Sequence, residues 1–107
     1  MKYLNAIRDK IPKIIRESGS DCVVKELSDE DFLVEMEKKL QEEFEEYIQS
    51  GTINELVDII EVIYRIAELR GVGRDELEKI RENKVKKRGR FSNNLFLIET
   101  IEKKLDL

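Results

Sequence analysis

Residues 50–67 read SGTINELVDIIEVIYRIA, a helix break followed by the most apolar helical segment of the chain. Gly51 breaks the segment before it, and Thr52 with Glu55 has the spacing of a capping box that starts a helix. From Leu56 to Ala67 the residues are apolar on nearly every side, the pattern of a buried central helix. Two acids, Asp58 and Glu61, interrupt that run. Gly71-Val72-Gly73 ends it.

Upstream, Ser28 precedes Asp29, Glu30 and Asp31, so a hydroxyl cap and an acidic first turn both favour a helix start. Phe32, Leu33, Met36, Leu40, Phe44, Tyr47 and Ile48 then recur at three- and four-residue spacing, predicting one apolar helix face as far as about Ser50. Further upstream, Met1 to Gly19 reads as a partly helical lead-in, with Pro12 suited to a first turn and Gly19 to an end. Asp21 to Leu27 reads as an extended linker with some β character at Val23-Val24. Downstream, Asp75 begins a polar third helix that runs to Arg88. After Gly89, Leu95, Phe96, Ile98, Ile101 and Leu105 predict a terminal helix over 91–107.

The expectation is an all-α helical bundle forming a single domain over residues 1–107. Composition agrees: 107 residues are 41% charged, with only five glycines and one proline, too few for a β-sandwich with frequent turns. A core of this size is modest. One strongly apolar helix among polar ones would leave apolar surface exposed in a monomer, which predicts a homo-oligomer, dimer or tetramer.

The chain has no histidine and one cysteine, Cys22. Histidine-dependent nucleophilic triads and histidine-bearing zinc sites are therefore excluded, as are an internal disulfide and a CxxC motif. A lone thiol fits a reducing cytosol. No apolar run approaches the roughly 20 residues that span a bilayer, and the N-terminus does not read as a signal peptide, so the expected location is cytoplasmic. The formal net charge of -4 argues against a general nucleic-acid binder.

Carboxylates are clustered at spacings that matter. Glu42, Glu43 and Glu46 form EExxE, and Glu55 and Asp58 form ExxD; residues three apart project from nearly the same helix face. If the turn at Gly51 makes an antiparallel hairpin, Glu43 and Glu46 face Glu55 and Asp58. Such an oxygen-only set suits a hard divalent cation, magnesium most naturally. A bland alternative stands beside each motif. A charged run such as EExxE is usually a solvated face, and Asp58 could pair with Arg65 or with a lysine of another helix. The combination favours function, because an unpaired buried carboxylate costs several kcal/mol.

The third helix supplies opposite charge. Between Lys79 and Arg90 stand Lys79, Arg81, Lys84, Lys86, Lys87, Arg88 and Arg90 against one acid, Glu82. Such a segment suits a solvated face, a nucleic-acid patch or a polyphosphate clamp. Without a Gly-rich phosphate loop, triphosphate binding would rest on cation and side chains.

Three motifs in order carry a family resemblance. Glu42-Glu43-x-x-Glu46 with Glu55-x-x-Asp58 resembles the all-helical nucleoside triphosphate pyrophosphatases of the MazG-like superfamily, including phosphoribosyl-ATP pyrophosphohydrolase relatives. The opening Tyr3-Leu4-Asn5-Ala6-Ile7-Arg8-Asp9-Lys10-Ile11-Pro12 and the later Lys84-x-x-Lys87-Arg88-Gly89-x-Phe91 look like those of a small stand-alone subgroup. The resemblance implies magnesium-dependent hydrolysis, with manganese as a possible substitute, between the α and β phosphates of a nucleotide. By analogy Glu43, Glu46, Glu55 and Asp58 hold the metal and Glu42 orients or deprotonates the attacking water. Lys84, Lys87 and Arg88 hold the leaving pyrophosphate. Arg8, Asp9 and Lys10 match the subgroup opening without an assigned role. One departure is the short connection of Tyr47 to Asn54 between the acidic motifs, which reduces the room for a base-binding loop. The alternative from another class is a non-catalytic helical dimer that binds a nucleotide or a protein partner.

Overall fold

The computed structural model describes residues 4–103. Four helices follow in order: α1 (Ile11–Glu17), α2 (Asp29–Ser50), α3 (Ile53–Leu69) and α4 (Arg74–Arg88). The described residues contain no strand, so the all-helical class holds. No helix among them is long and apolar enough to cross a membrane.

Local chemistry explains most boundaries. At the start of α2, Ser28 is extended and its Oγ accepts from the Asp31 amide at 3.1 Å, so the hydroxyl satisfies one of the amides that a helix N-terminus leaves unpaired. At its end Gly51 adopts the left-handed conformation, φ 64°, while its amide donates to the Tyr47 carbonyl at 2.8 Å. A Cβ there would be strained. Gly71, φ 87°, closes α3 in the same way, with Gly71 N donating to Glu68 O and Val72 N to Ala67 O. These paired bonds are a Schellman motif. The linker after α1 is extended, as expected, and Arg16 Nε holds it through Asp21 at 3.2 Å.

Two expectations fail locally. The Thr52–Glu55 capping box does not form: Thr52 caps α3 by position alone, with no side-chain bond to the helix. Its hydroxyl lies 3.4 Å from Ser50 Oγ instead, and the Glu55 carboxylate is turned toward α2. The terminal helix is absent as well. Among its described residues, 91–103, none is helical, and Asn94 is left-handed at φ 54°. Leu95 to Ile98 form one contiguous apolar block, and a short helix in water is marginal unless a packed face supports it. Leu105 lies outside the described residues, as does Tyr3 of the opening motif.

The two-residue link at Gly51 folds α2 and α3 into an antiparallel hairpin that holds most of the interhelical packing. Arg70 with Glu37 at 3.3 Å and Arg65 with Asp29 at 3.9 Å join the open end. Arg74 begins α4 with its guanidinium 4.1 Å from the centre of the Tyr64 ring, a cation–π contact. The hairpin interior is thin. Met36 and Val62 are its buried apolar residues, with Phe32, Leu33, Leu40, Ile59 and Ile66 half-buried. Within one chain α3 is therefore not the enclosed central helix that its composition predicts, since Ile53, Val57, Ile60 and Ile63 remain exposed. The radius of gyration is 20.3 Å, against about 13 Å for a compact domain of 100 residues.

Candidate metal centre

The hairpin brings together three of the four expected ligands. Glu43 on α2 and Glu55 and Asp58 on α3 each offer a carboxylate oxygen, and the three oxygens lie within 4.8 Å of one another. The three-residue step from Glu55 to Asp58 places both acids toward one edge of α3. The antiparallel partner helix sets Glu43 opposite them. Glu43 is buried at 7% exposure, while Glu55 and Asp58 are half-buried.

The polar accounting is incomplete. Glu43 Oε2 and Glu55 Oε2 are buried without a hydrogen-bond partner, although buried polar atoms are nearly always paired. Burial pushes the Glu55 carboxyl up to about 7, aided by the adjoining Glu43 carboxylate and by repulsion from Glu46. Crowded acids sharing too few protons behave in this way. An oxygen-only donor set with orphaned atoms, centred on an acid that resists ionisation, has the composition that a hard divalent cation requires.

Glu46 is exposed and stands outside the three-oxygen group, yet its charge reaches Glu55. It therefore lies near the cluster. Glu42 is exposed and turns to Lys39, whose ammonium lies 3.5 Å from Glu42 and 3.5 Å from Glu43. Lys39 is an unanticipated member of the site; its three- and four-residue spacing to the two acids is the signal that marks it. Arg8 is the other. Its guanidinium donates to Asp58 Oδ1 at 2.6 Å from fifty residues away. The expected alternative, a pair between Asp58 and Arg65, does not form. Arg65 instead approaches Asp29 and Glu68, each at 3.9 Å, and lies 5.8 Å from the Phe32 ring centre.

Lys84, Lys87 and Arg88 occupy the last turns of α4 and are exposed. Their charge complements the carbonyl end of the helix. No ion pair or hydrogen bond among the described residues joins them to the acids, whereas Arg81 is held by Glu78, with Nε 3.0 Å from both carboxylate oxygens. No family model, curated protein or solved structure matches the chain.

Proposed function

We propose that this chain is a magnesium-dependent nucleotide pyrophosphohydrolase of MazG-like fold acting in the cytosol, with manganese as an alternative cation. Its substrate is a nucleoside triphosphate or a phosphoribosyl-ATP-like nucleotide. Water oxygen adds to the α phosphorus, the bond to the bridging oxygen breaks, and pyrophosphate leaves. The observation that carries this reading is the carboxylate triad, Glu43, Glu55 and Asp58, with two buried oxygens lacking a partner. These residues hold the cation, and Glu46 completes the set from the next turn of α2. When bound, the cation offsets charge on phosphate oxygens and lowers the pKa of water. Glu42 stands beside the triad on α2 to orient the attacking water, with Lys39 fixing its carboxylate. Lys84, Lys87 and Arg88 receive the leaving pyrophosphate.

Incubation of the pure chain with magnesium and a nucleotide panel, phosphoribosyl-ATP included, should release pyrophosphate. Glu43→Gln and Asp58→Asn should each abolish turnover without loss of helical content. Folded protein that turns over none of these nucleotides with magnesium or manganese refutes the proposal.

One observation favours the non-catalytic reading. Arg8 already supplies a cation to Asp58 at 2.6 Å, so the acids could serve to anchor the N-terminal segment. Calorimetric titration separates the two: an anchoring role predicts no magnesium binding that depends on Glu43 and Glu55.

A further inference from the structure

Helical rotation of about 100° per residue sorts the hairpin into two edges. On α2, Glu43 and Glu46 fall to one side of the buried row through Met36, while Val34, Phe44 and Ile48 fall to the other. On α3, Asp58 falls to one side of the row through Val62, and Ile60 and Ile63 to the other. Because the helices are antiparallel, both acidic sides meet at one edge and both apolar sides at the opposite flank. That flank is uncovered among the described residues, its five apolar residues being 41–65% exposed.

A second unpartnered apolar element lies on the same chain. Beyond Gly89, Phe91, Leu95, Phe96, Leu97, Ile98 and Ile101 are 78–99% exposed. Water-exposed apolar surface of this extent marks an interaction site. The two phenylalanines alone present on the order of 300 Å². With the aliphatic side chains and the flank, the hidden area reaches the ~800 Å² per partner of a stable interface.

We infer that residues 91–101 of one chain seat on the apolar α2–α3 flank of a second copy, and that the exchange is reciprocal. The two elements match in chemistry, and each stays exposed among the described residues of its own chain. A twofold arrangement uses both surfaces twice and closes the assembly. The exchange leaves the acidic edge open and is independent of the pyrophosphohydrolase reading, since its readout is mass and connectivity.

Sedimentation equilibrium of the full chain should show a dimer. The double variant Phe96→Asp with Ile98→Asp should weaken it by on the order of a hundredfold or more, as for interface anchors. Helical content should not change, because both residues lie outside the helices and are 88% exposed. Ile60→Asp on the flank should have the same effect from the other side. For connectivity, Cys22→Ser chains carrying either Ile60→Cys or Phe96→Cys are mixed with a short bis-maleimide, and a product of twice the chain mass is expected. A monomeric wild-type chain overturns the inference, as does a dimer as tight in the double variant as in wild type. So does a chain carrying both cysteines that cross-links only within itself.

Discussion

Replacing Glu55 by glutamine separates a cation site from an incidental cluster of acids. In the folded chain the Glu55 carboxyl is pushed from its ordinary 4.5 to about 7, chiefly by burial and then by Glu43 and Glu46. An unfolded chain releases that proton near 4.5, so between these values the folded state binds more protons. The associated stability is complete below about 4.5 and is lost as pH rises through about 7. A cation must displace the same proton. With half the sites protonated at pH 7, magnesium binding should release about half a proton there. The ionised fraction is about one in eleven at pH 6 and ten in eleven at pH 8, so apparent affinity should rise about tenfold between them.

Calorimetry in two buffers of different ionisation enthalpy reads the proton directly, and thermal melts at pH 6 and pH 8 read the stability. In Glu55→Gln the apo protein should melt higher at pH 8 than wild type, because an ionised acid beside Glu43 is gone. Proton release and the pH dependence of stability should vanish with it. An affinity for magnesium that is flat from pH 6 to 8 in the wild type would falsify the assignment of Glu55 as the acid that gives up its proton.

Arg8→Gln removes the guanidinium from Asp58. Both groups are substantially exposed, so the stability cost should stay below about 1 kcal/mol, while isothermal titration should show tighter magnesium binding because a competing positive charge has left. Ser28→Ala removes the acceptor for the Asp31 amide and should cost about 1 kcal/mol in a denaturant titration, with pyrophosphate release at saturating substrate unaltered. Gly51→Val places a β-branched residue at φ 64° and should cost more than about 1 kcal/mol; a melting temperature equal to wild type would show that the turn adopts another conformation.

What the sequence made legible was local. Ser28 with its acidic first turn, Gly51 and Gly71 each act within a few residues, so the bounds of α2 and α3 and the hairpin between them follow from neighbouring chemistry. Asp58 was conspicuous because an acid in an apolar run needs a reason, and the structure supplies Glu43 and Glu55 beside it. The identity of its ion-pair partner was not legible: Arg8 arrives from fifty residues away, and several cations in the chain had equal claim. The terminal helix failed for a related reason. The spacing of Leu95, Ile98 and Ile101 permits a helix, but the face that would support one is missing from the chain's own packing. Thr52 and Glu55 show two local rules in conflict, since the spacing suits a capping box while the carboxylate of Glu55 meets Glu43 across the hairpin.

A hairpin whose buried apolar residues are Met36 and Val62 has little stability to set against three converging carboxylates. The orphaned oxygens of Glu43 and Glu55 lower it further. The two proposals each supply a source of stability, one at each edge of the hairpin: a cation at the acids and a second copy at the apolar flank. Each binds the folded state alone, so each should raise the melting temperature by mass action. Because they occupy opposite edges, their effects should add. Melts across a range of protein concentrations, with and without magnesium, should therefore give two parallel rising lines. Glu55→Gln should remove the offset between the lines and keep their slope. Phe96→Asp with Ile98→Asp should flatten the slope and keep the offset. If instead one substitution removes both effects, cation and second copy share a single surface, and the division of the hairpin into an acidic edge and an apolar flank is wrong.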